Sequence, residues 1–133
     1  MGGAATKRIA LMAIHQKWAD AIMNGDKRVE FRKRRLADDI RTVWVYATAP
    51  TSKVIGKFTV GEIVTGSPAS IWARFGDIGE INHDDFFAYY GDAHTAVAIV
   101  VSEAERFADA LALAEIDPKP AVPQSFAYLS VPS

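Results

Sequence analysis

The segment that most constrains the fold is residues 27–35, which read Lys-Arg-Val-Glu-Phe-Arg-Lys-Arg-Arg and alternate apolar with charged side chains. Strict alternation is typical of a strand with one buried face, so Val29 and Phe31 are predicted to point into a core. The opposite face would then carry a row of charged side chains: Arg28, Glu30, Arg32 and Arg34. Guanidinium groups held in a row on a rigid strand favour phosphate binding.

The charge of the chain is strongly segregated although the net charge is only −1. Up to Lys57 there are 12 Lys and Arg against 5 Asp and Glu, giving +7, and the remainder has 3 against 11, giving −8. This split predicts one basic and one acidic face, and a basic face concentrates anions whatever the net charge. An alternative stays open, in which Lys33, Arg34 and Arg35 form a solvated loop that only aids solubility.

Length and composition predict one folded domain with a packed core. The 133 residues are 50% apolar, and a chain of this size can bury a core without disulfides. We assign residues 1–7 to a flexible leader and residues 8–130 to the domain. The absence of cysteine excludes thiol catalysis and sulfur-bound zinc. No apolar run has membrane-spanning length and no signal peptide is visible, which predicts a soluble cytoplasmic protein without membrane contact.

Local patterns predict most of the secondary structure. Strands are predicted at residues 9–14, 27–35, 42–48, 53–64 and 95–101, and helices at residues 16–24, after Ser67-Pro68 and from about Asn82. Gly56 and Gly61 interrupt the fourth strand, which predicts bulges or bends of the kind that small barrels use at their corners. One shared core is predicted to contain Val29, Phe31, Val43, Val45, Phe58, Val60, Val97 and Ile99.

Residues 102–115 are compatible with two structures. Ser102 followed by Glu105 is a capping-box pattern that favours a helix, whereas Glu103, Glu105 and Phe107 alternate as in a continuing strand. The proline-rich tail from residue 117 is predicted to be extended, with Phe126 and Tyr128 as its anchors.

Residue spacing excludes several kinds of chemistry. His15, His83 and His94 show no metal-like spacing, and there is neither a glycine-rich phosphate loop nor a Ser-His-Asp order. We therefore predict no metal site and no cofactor. Lysine, glutamate, tyrosine and serine side chains remain as candidates for chemistry.

Four motifs in order carry a resemblance to a known family. They occupy residues 25–33, residues 46–56, Gly66-Ser67-Pro68 and residues 123–126. Their order and spacing resemble the ASCH-domain family, a branch of the PUA-like superfold, and in particular its prokaryotic stand-alone members. The resemblance extends from about residue 9 to residue 129.

The resemblance implies a fold and a general function. It implies the α+β class, as a small mixed β-barrel with short helices covering its open sides, and a cleft lined by the Glu-x-Arg strand. It also favours a strand that continues to about Phe107. PUA-like relatives bind RNA or modified bases, and ASCH members are often described as RNA-binding proteins or transcription coregulators.

Two enzymatic activities are associated with ASCH-like proteins. The N4-acetylcytidine amidohydrolases resemble Gly-x-Lys-Thr-x-Thr-x-Arg at this strand; Lys27 and Arg32 match, whereas Arg28 and Glu30 replace the two threonines. Members that cleave single-stranded RNA carry a tyrosine, a lysine and a serine around the cleft. The resemblance implies Tyr46, Lys53 and Ser125 as their counterparts in this chain. With Lys27 and Glu30 of the basic strand, these are the candidate catalytic residues.

The combined interpretation is a module that binds RNA or a nucleotide-like ligand in a basic cleft. Its predicted nucleic-acid-binding residues are Arg28, Glu30, Arg32, Lys33, Arg34, Arg35, Lys53 and Gln124. The first alternative is a metal-free enzyme, either a single-stranded ribonuclease or an N4-acetylcytidine amidohydrolase-like protein. The second alternative is a domain that binds a small anion or a partner protein. The sequence predicts no oligomeric state.

Overall fold

A computed structural model of the chain describes residues 6–132, which form six strands and three helices. The strands are β1 (Thr6–Ile14), β2 (Val29–Arg32), β3 (Thr42–Ala47), β4 (Lys53–Gly66), β5 (Ala96–Leu111) and β6 (Phe126–Pro132). The helices are α1 (Gln16–Asn24), α2 (Pro68–Phe75) and α3 (His83–Tyr90), with short 3₁₀ turns at Gly76–Ile78 and Leu113–Glu115. Residues 1–5 of the predicted leader lie outside the described part, and Thr6 and Lys7 belong to β1.

The strands form one open sheet in the order β2-β5-β4-β3-β1-β6. The pairing of β1 with β3 is parallel, and the other four pairings are antiparallel. The α+β class is confirmed, but the predicted closed barrel is wrong. Closure requires hydrogen bonds between the first and last strands of the sheet, and within residues 6–132 β2 pairs only with β5 and β6 only with β1.

The two longest strands, β4 and β5, pair irregularly near the glycines of β4. Their pairing register shifts between Val54 and Gly56 and again between Val60 and Ile63, which confirms the predicted bulges. Strand β5 runs for 16 residues to Leu111, so the helix alternative for residues 102–115 is wrong. The strand also continues four residues beyond the end that the family resemblance favoured.

The core is divided by the sheet. All eight side chains predicted to share one core are buried, but Val29 and Phe31 pack with Phe86 and neighbouring residues of α2 and α3. The other six lie in a second cluster with Ala19 and Ile22 of α1. The prediction of one shared core is therefore wrong, because helices cover both faces of the sheet.

Helix α1 and the turn after it bring Lys27 next to the sheet. His15 caps the beginning of α1 by accepting a hydrogen bond from the backbone N–H of Lys17. Gly25 ends the helix with φ of 85°, a conformation that favours glycine. The backbone N–H of Lys27 then donates to the carbonyl of Ala21, so the chain folds back and enters β2 immediately. Among residues 6–132, no helix combines the length and apolar character needed to cross a membrane.

Candidate nucleic-acid-binding site

A small cavity, called here the inner cavity, lies between α1, β2 and α3. It has a volume of about 100 Å³. Most of its lining is aromatic or aliphatic, and three charged side chains lie among these residues. The lining residues are Ile14, His15, Trp18, Lys27, Glu30, Phe31, Arg32, Ile81, Phe86 and Tyr89.

Lys27 and Glu30 are the two buried charged residues of this cavity, with exposed fractions of 2% and 5%. The Lys27 ammonium donates a hydrogen bond of 2.5 Å to the carbonyl of Gly79. Its Nζ lies 3.8 Å from Oε1 of Glu30, which is an ion pair but longer than a hydrogen bond. The alternation predicted Glu30 on a charged face of the strand opposite Phe31, whereas Glu30 is buried and lines the inner cavity together with Phe31.

Burial changes the acid–base behaviour of Lys27. Removal from water disfavours the ammonium form and lowers the pKa of Lys27, whereas the carboxylates of Glu30 and Glu80 act in the opposite direction. The desolvation effect is the larger of the two. Lys27 is therefore more easily deprotonated than a surface lysine.

Arg32 connects two edges of the open sheet. Its NH1 group donates to Oε2 of Glu30 at 3.1 Å and to the carbonyl of Ala13 on β1 at 3.3 Å. Its NH2 group donates to Oγ of Ser125, just before β6. The Nε atom is buried and has no hydrogen-bond partner among the described residues. Arg32 was predicted to bind a phosphate, but its guanidinium group already forms hydrogen bonds within the protein.

A larger basic cavity, the outer cavity, adjoins the inner one. It has a volume of about 420 Å³ and is lined by Arg32, Lys33, Arg34, Tyr89, Gln124 and Ser125. Because Arg32 and Tyr89 line both cavities, the two spaces share a boundary. The Lys33 ammonium lies 4.9 Å from the centre of the Tyr89 ring, a cation–π distance. Burial raises the pKa of Tyr89, so its hydroxyl stays protonated in the physiological range.

The remaining predicted site residues lie elsewhere. Arg28 is exposed before β2 and Arg35 pairs with Asp38 at 3.3 Å; neither lines the two cavities. Lys53 is exposed at the start of β4, opposite Ala47 of β3. Tyr46 is 5% exposed and packs in a separate cluster with Leu11, Val54 and Leu113. The structure therefore brings Lys27, Glu30 and Ser125 to the cavities but not Tyr46 or Lys53.

Sequence reasoning missed the aromatic lining. Trp18 belongs to α1, and its indole N–H donates to the carbonyl of Glu80 beside the inner cavity. Helix α3 carries two adjacent tyrosines, Tyr89 and Tyr90, at its end. Adjacent residues of a helix point to different sides, so only one of two neighbouring tyrosines packs into the same core. Tyr90 is 2% exposed and donates to the carbonyl of Arg32, whereas Tyr89 is 41% exposed.

Metal-ligating side chains do not cluster in the part of the chain that the structure describes. Within residues 6–132, no group of three His, Cys, Asp or Glu side chains is arranged to hold a metal ion.

The comparison with protein families identifies the chain. The model of the ASCH domain matches residues 12–111, about three quarters of the sequence. The chain belongs to the ASCH-domain family, which confirms the resemblance found in the motifs.

Two kinds of curated relative are similar to the chain. An ASCH domain-containing ribonuclease from Zymomonas mobilis is 29% identical over 98 residues, which cover 73% of this chain and 66% of that protein. The large ribosomal subunit protein uL22 from Ureaplasma parvum is 31% identical over 104 residues, which cover 78% of this chain and 33% of that protein. The chain therefore spans less than two thirds of the length of these curated relatives.

Solved structures of an ASCH protein from Zymomonas mobilis share the fold. The crystal structure of that protein is 28% identical and superposes with a TM-score of 0.84, covering 91% of this chain and 87% of the other. A tyrosine-to-phenylalanine variant of the same protein is 27% identical with a TM-score of 0.84, covering 91% and 89%. The open six-stranded sheet with three helices is thus similar to known ASCH structures.

Proposed function

We propose that this protein binds single-stranded RNA, with one base in the inner cavity and the adjacent phosphate in the outer cavity. The observation that carries the proposal is the contact between an aromatic cavity, with buried charges inside it, and a larger basic cavity. Unpaired bases stack on aromatic rings and form hydrogen bonds through their edges, whereas lysine and arginine bind phosphates.

The buried charges have the chemistry to recognise a base edge. Oε1 of Glu30 can accept a hydrogen bond from a base N–H, because Nζ of Lys27 lies 3.8 Å from it, beyond hydrogen-bond distance. Lys27 donates to Gly79 and has further N–H groups for a carbonyl or ring nitrogen. Trp18, Phe31 and Phe86 supply aromatic rings around these groups. Family membership and the ribonuclease name of a relative support an RNA-related role.

The first test measures binding of a fluorescently labelled, unstructured RNA to Lys27→Met and Glu30→Gln variants. Each variant removes a charge-assisted hydrogen bond to the base, so we expect the affinity to fall by about tenfold or more. Lys57→Met is the matched control, because Lys57 is a half-exposed lysine on β4 that pairs with Glu105 and lines neither cavity. Circular dichroism verifies that each variant is folded. Unchanged affinity in both cavity variants would contradict the proposal.

Cleavage of RNA is a second candidate function, favoured by the name of the Zymomonas mobilis relative. Cleavage without metal requires a base for the 2′-hydroxyl, an acid for the leaving oxygen and a cation beside the phosphorane. Ser125 lies in the outer cavity and accepts a hydrogen bond from Arg32. Tyr46 and Lys53 do not line either cavity, so we favour binding without turnover.

The second test incubates the protein with unstructured RNA and with N4-acetylcytidine in the presence of a chelator. We expect RNA to remain uncleaved, because Tyr46 and Lys53 lie away from the cavity that holds Ser125. We expect N4-acetylcytidine to remain intact, because Arg28 and Glu30 replace the two threonines of the amidohydrolase motif. Cleavage of RNA that is abolished in Lys53→Ala but retained in Lys27→Ala would instead establish a ribonuclease. Hydrolysis of N4-acetylcytidine that is abolished in Lys27→Ala would establish an amidohydrolase that uses the buried lysine.

A further inference from the structure

Three aromatic rings near the outer cavity are each covered by a cation. Lys33 lies 4.9 Å from the centre of Tyr89, Arg34 lies 4.7 Å from Phe126, and Arg8 lies 4.5 Å from Tyr128. Distances of this size are typical of cation–π contacts. We call the three rings and their three cations the aromatic stripe.

The aromatic stripe continues from the outer cavity. Arg34 lines that cavity and also lies over Phe126, so it joins the cavity to β6. Phe126 and Tyr128 are two residues apart on β6 and therefore point to the same side of the strand. Their ring centres are 5.7 Å apart. The contacts thus lead from Tyr89, which lines the inner cavity, to Tyr128 beside β1.

The stripe is accessible and carries positive charge. Tyr89 and Tyr128 are 41% and 37% exposed, and they are two of the three most exposed large apolar side chains among residues 6–132. Arg8 is held over Tyr128 by a bidentate contact with Asp39, in which Nε donates to Oδ2 at 2.9 Å. That contact fixes the guanidinium plane and offsets part of its charge. Lys33 and Arg34 add two further cations beside the rings.

We propose that the aromatic stripe extends the binding site, so that single-stranded RNA runs from the inner cavity along β6 to Arg8 at β1. The proposal rests on the proposed function and adds the path of the strand. Bases stack on aromatic rings and on guanidinium planes, and phosphates accept hydrogen bonds from the guanidinium edges. Alternating rings and cations are therefore complementary to a single strand, whose bases and phosphates also alternate. A duplex offers no free base faces, because its bases are stacked on one another and paired.

The test measures affinity for oligouridylates from a dinucleotide to about eight nucleotides, the lower range of single-strand site sizes. Arg8→Gln and Arg34→Gln should each weaken binding of the longest oligonucleotide about fivefold or more, the lower end of the effect of removing one stacked base. Arg8→Gln should leave dinucleotide binding unchanged, because Arg8 lies at the far end of the stripe. The control is Arg74→Gln, since Arg74 lies 4.8 Å from the Phe75 ring but belongs to α2.

Salt dependence and a conservative variant make the test specific. Every ion pair with a phosphate that a substitution removes should lower the slope of log affinity against log salt by about 0.7 for a single strand. Arg8→Lys should retain the slope but not the stacking part of the affinity, because lysine keeps the charge without the planar group. If Arg8→Gln and Arg34→Gln bind the longest RNA as tightly as the wild-type protein does, while Lys27→Met binds it more weakly, the proposed path is wrong but the proposed function stands. Absence of RNA binding by the wild-type protein would overturn both.

Discussion

At the scale of single residues, the group formed by Lys27, Glu30 and Arg32 is the most unusual feature of the chain. Three charged side chains are brought together with side-chain exposures of 3%, 7% and 12%. Burying charges is costly, and ion pairs recover this cost only when further hydrogen bonds satisfy the groups. Here the carbonyls of Gly79 and Ala13 and the hydroxyl of Ser125 supply such bonds. Buried charge in a cavity is more typical of a functional site than of a stabilising core.

Arg32 provides a direct test of its role as a structural link. The Arg32→Met substitution removes the hydrogen bonds to β1 and Ser125 and takes the closest cation away from Glu30, so we expect the free energy of unfolding to fall by about 3 kcal/mol. The control is Arg106→Met, because Arg106 is 45% exposed and its hydrogen bonds to Asp20 and Asn24 are 3.3–3.4 Å long. That substitution should cost less than about 1 kcal/mol. Equilibrium urea unfolding measures both variants, and equal destabilisation would show that Arg32 is not a structural link.

At the scale of secondary-structure elements, the sequence predicted the helix boundaries, because capping residues close to each helix end determine them. Helix α1 begins and ends at the predicted residues because His15 and Gly25 supply both caps. Helix α2 likewise follows Ser67-Pro68, where the serine side chain accepts from the backbone N–H of Ser70. The basic segment was only partly predicted. Its strand comprises Val29–Arg32, and the residues that follow form the loop beside the outer cavity.

The sequence did not predict how the elements pack and pair with one another, because these contacts join residues that are distant in sequence. The alternation of β2 fixes which side chains share a face but not what covers that face. Glu30 is buried in a cavity that residues of α1 and α3 also line, and that arrangement depends on tertiary packing. The same limit explains the wrong barrel prediction. Closure depends on whether β2 and β6 hydrogen-bond to each other, and neither strand carries a local signal for its partner.

At the scale of the whole molecule, both the basic and the acidic half of the sequence contribute residues to the two cavities. The basic half contributes Lys27, Arg32 and the loop cations Lys33 and Arg34. The acidic half nevertheless contributes aromatic walls from α3, and Gln124 and Ser125 from the tail. The sequence therefore predicted where the positive charge originates. It could not predict that α3 lines both cavities, because Tyr89 is distant in sequence from the basic strand.

The size of the inner cavity predicts that the protein discriminates between single-stranded and duplex RNA. A volume of about 100 Å³ is small, and the groups that would contact a base edge, Lys27 and Glu30, are buried inside it. A base in a duplex is paired and stacked, so it would have to be extruded at a cost of a few kcal/mol before it could enter. We therefore expect a blunt duplex to bind at least about tenfold more weakly than an unstructured RNA of equal phosphate number at the same salt concentration. Competition against a labelled unstructured RNA measures the ratio, and Glu30→Gln serves as the matched variant, in which the preference should shrink. Equal affinity for both RNAs in the wild-type protein would mean that binding depends on the basic outer surface alone and that the inner cavity holds no base.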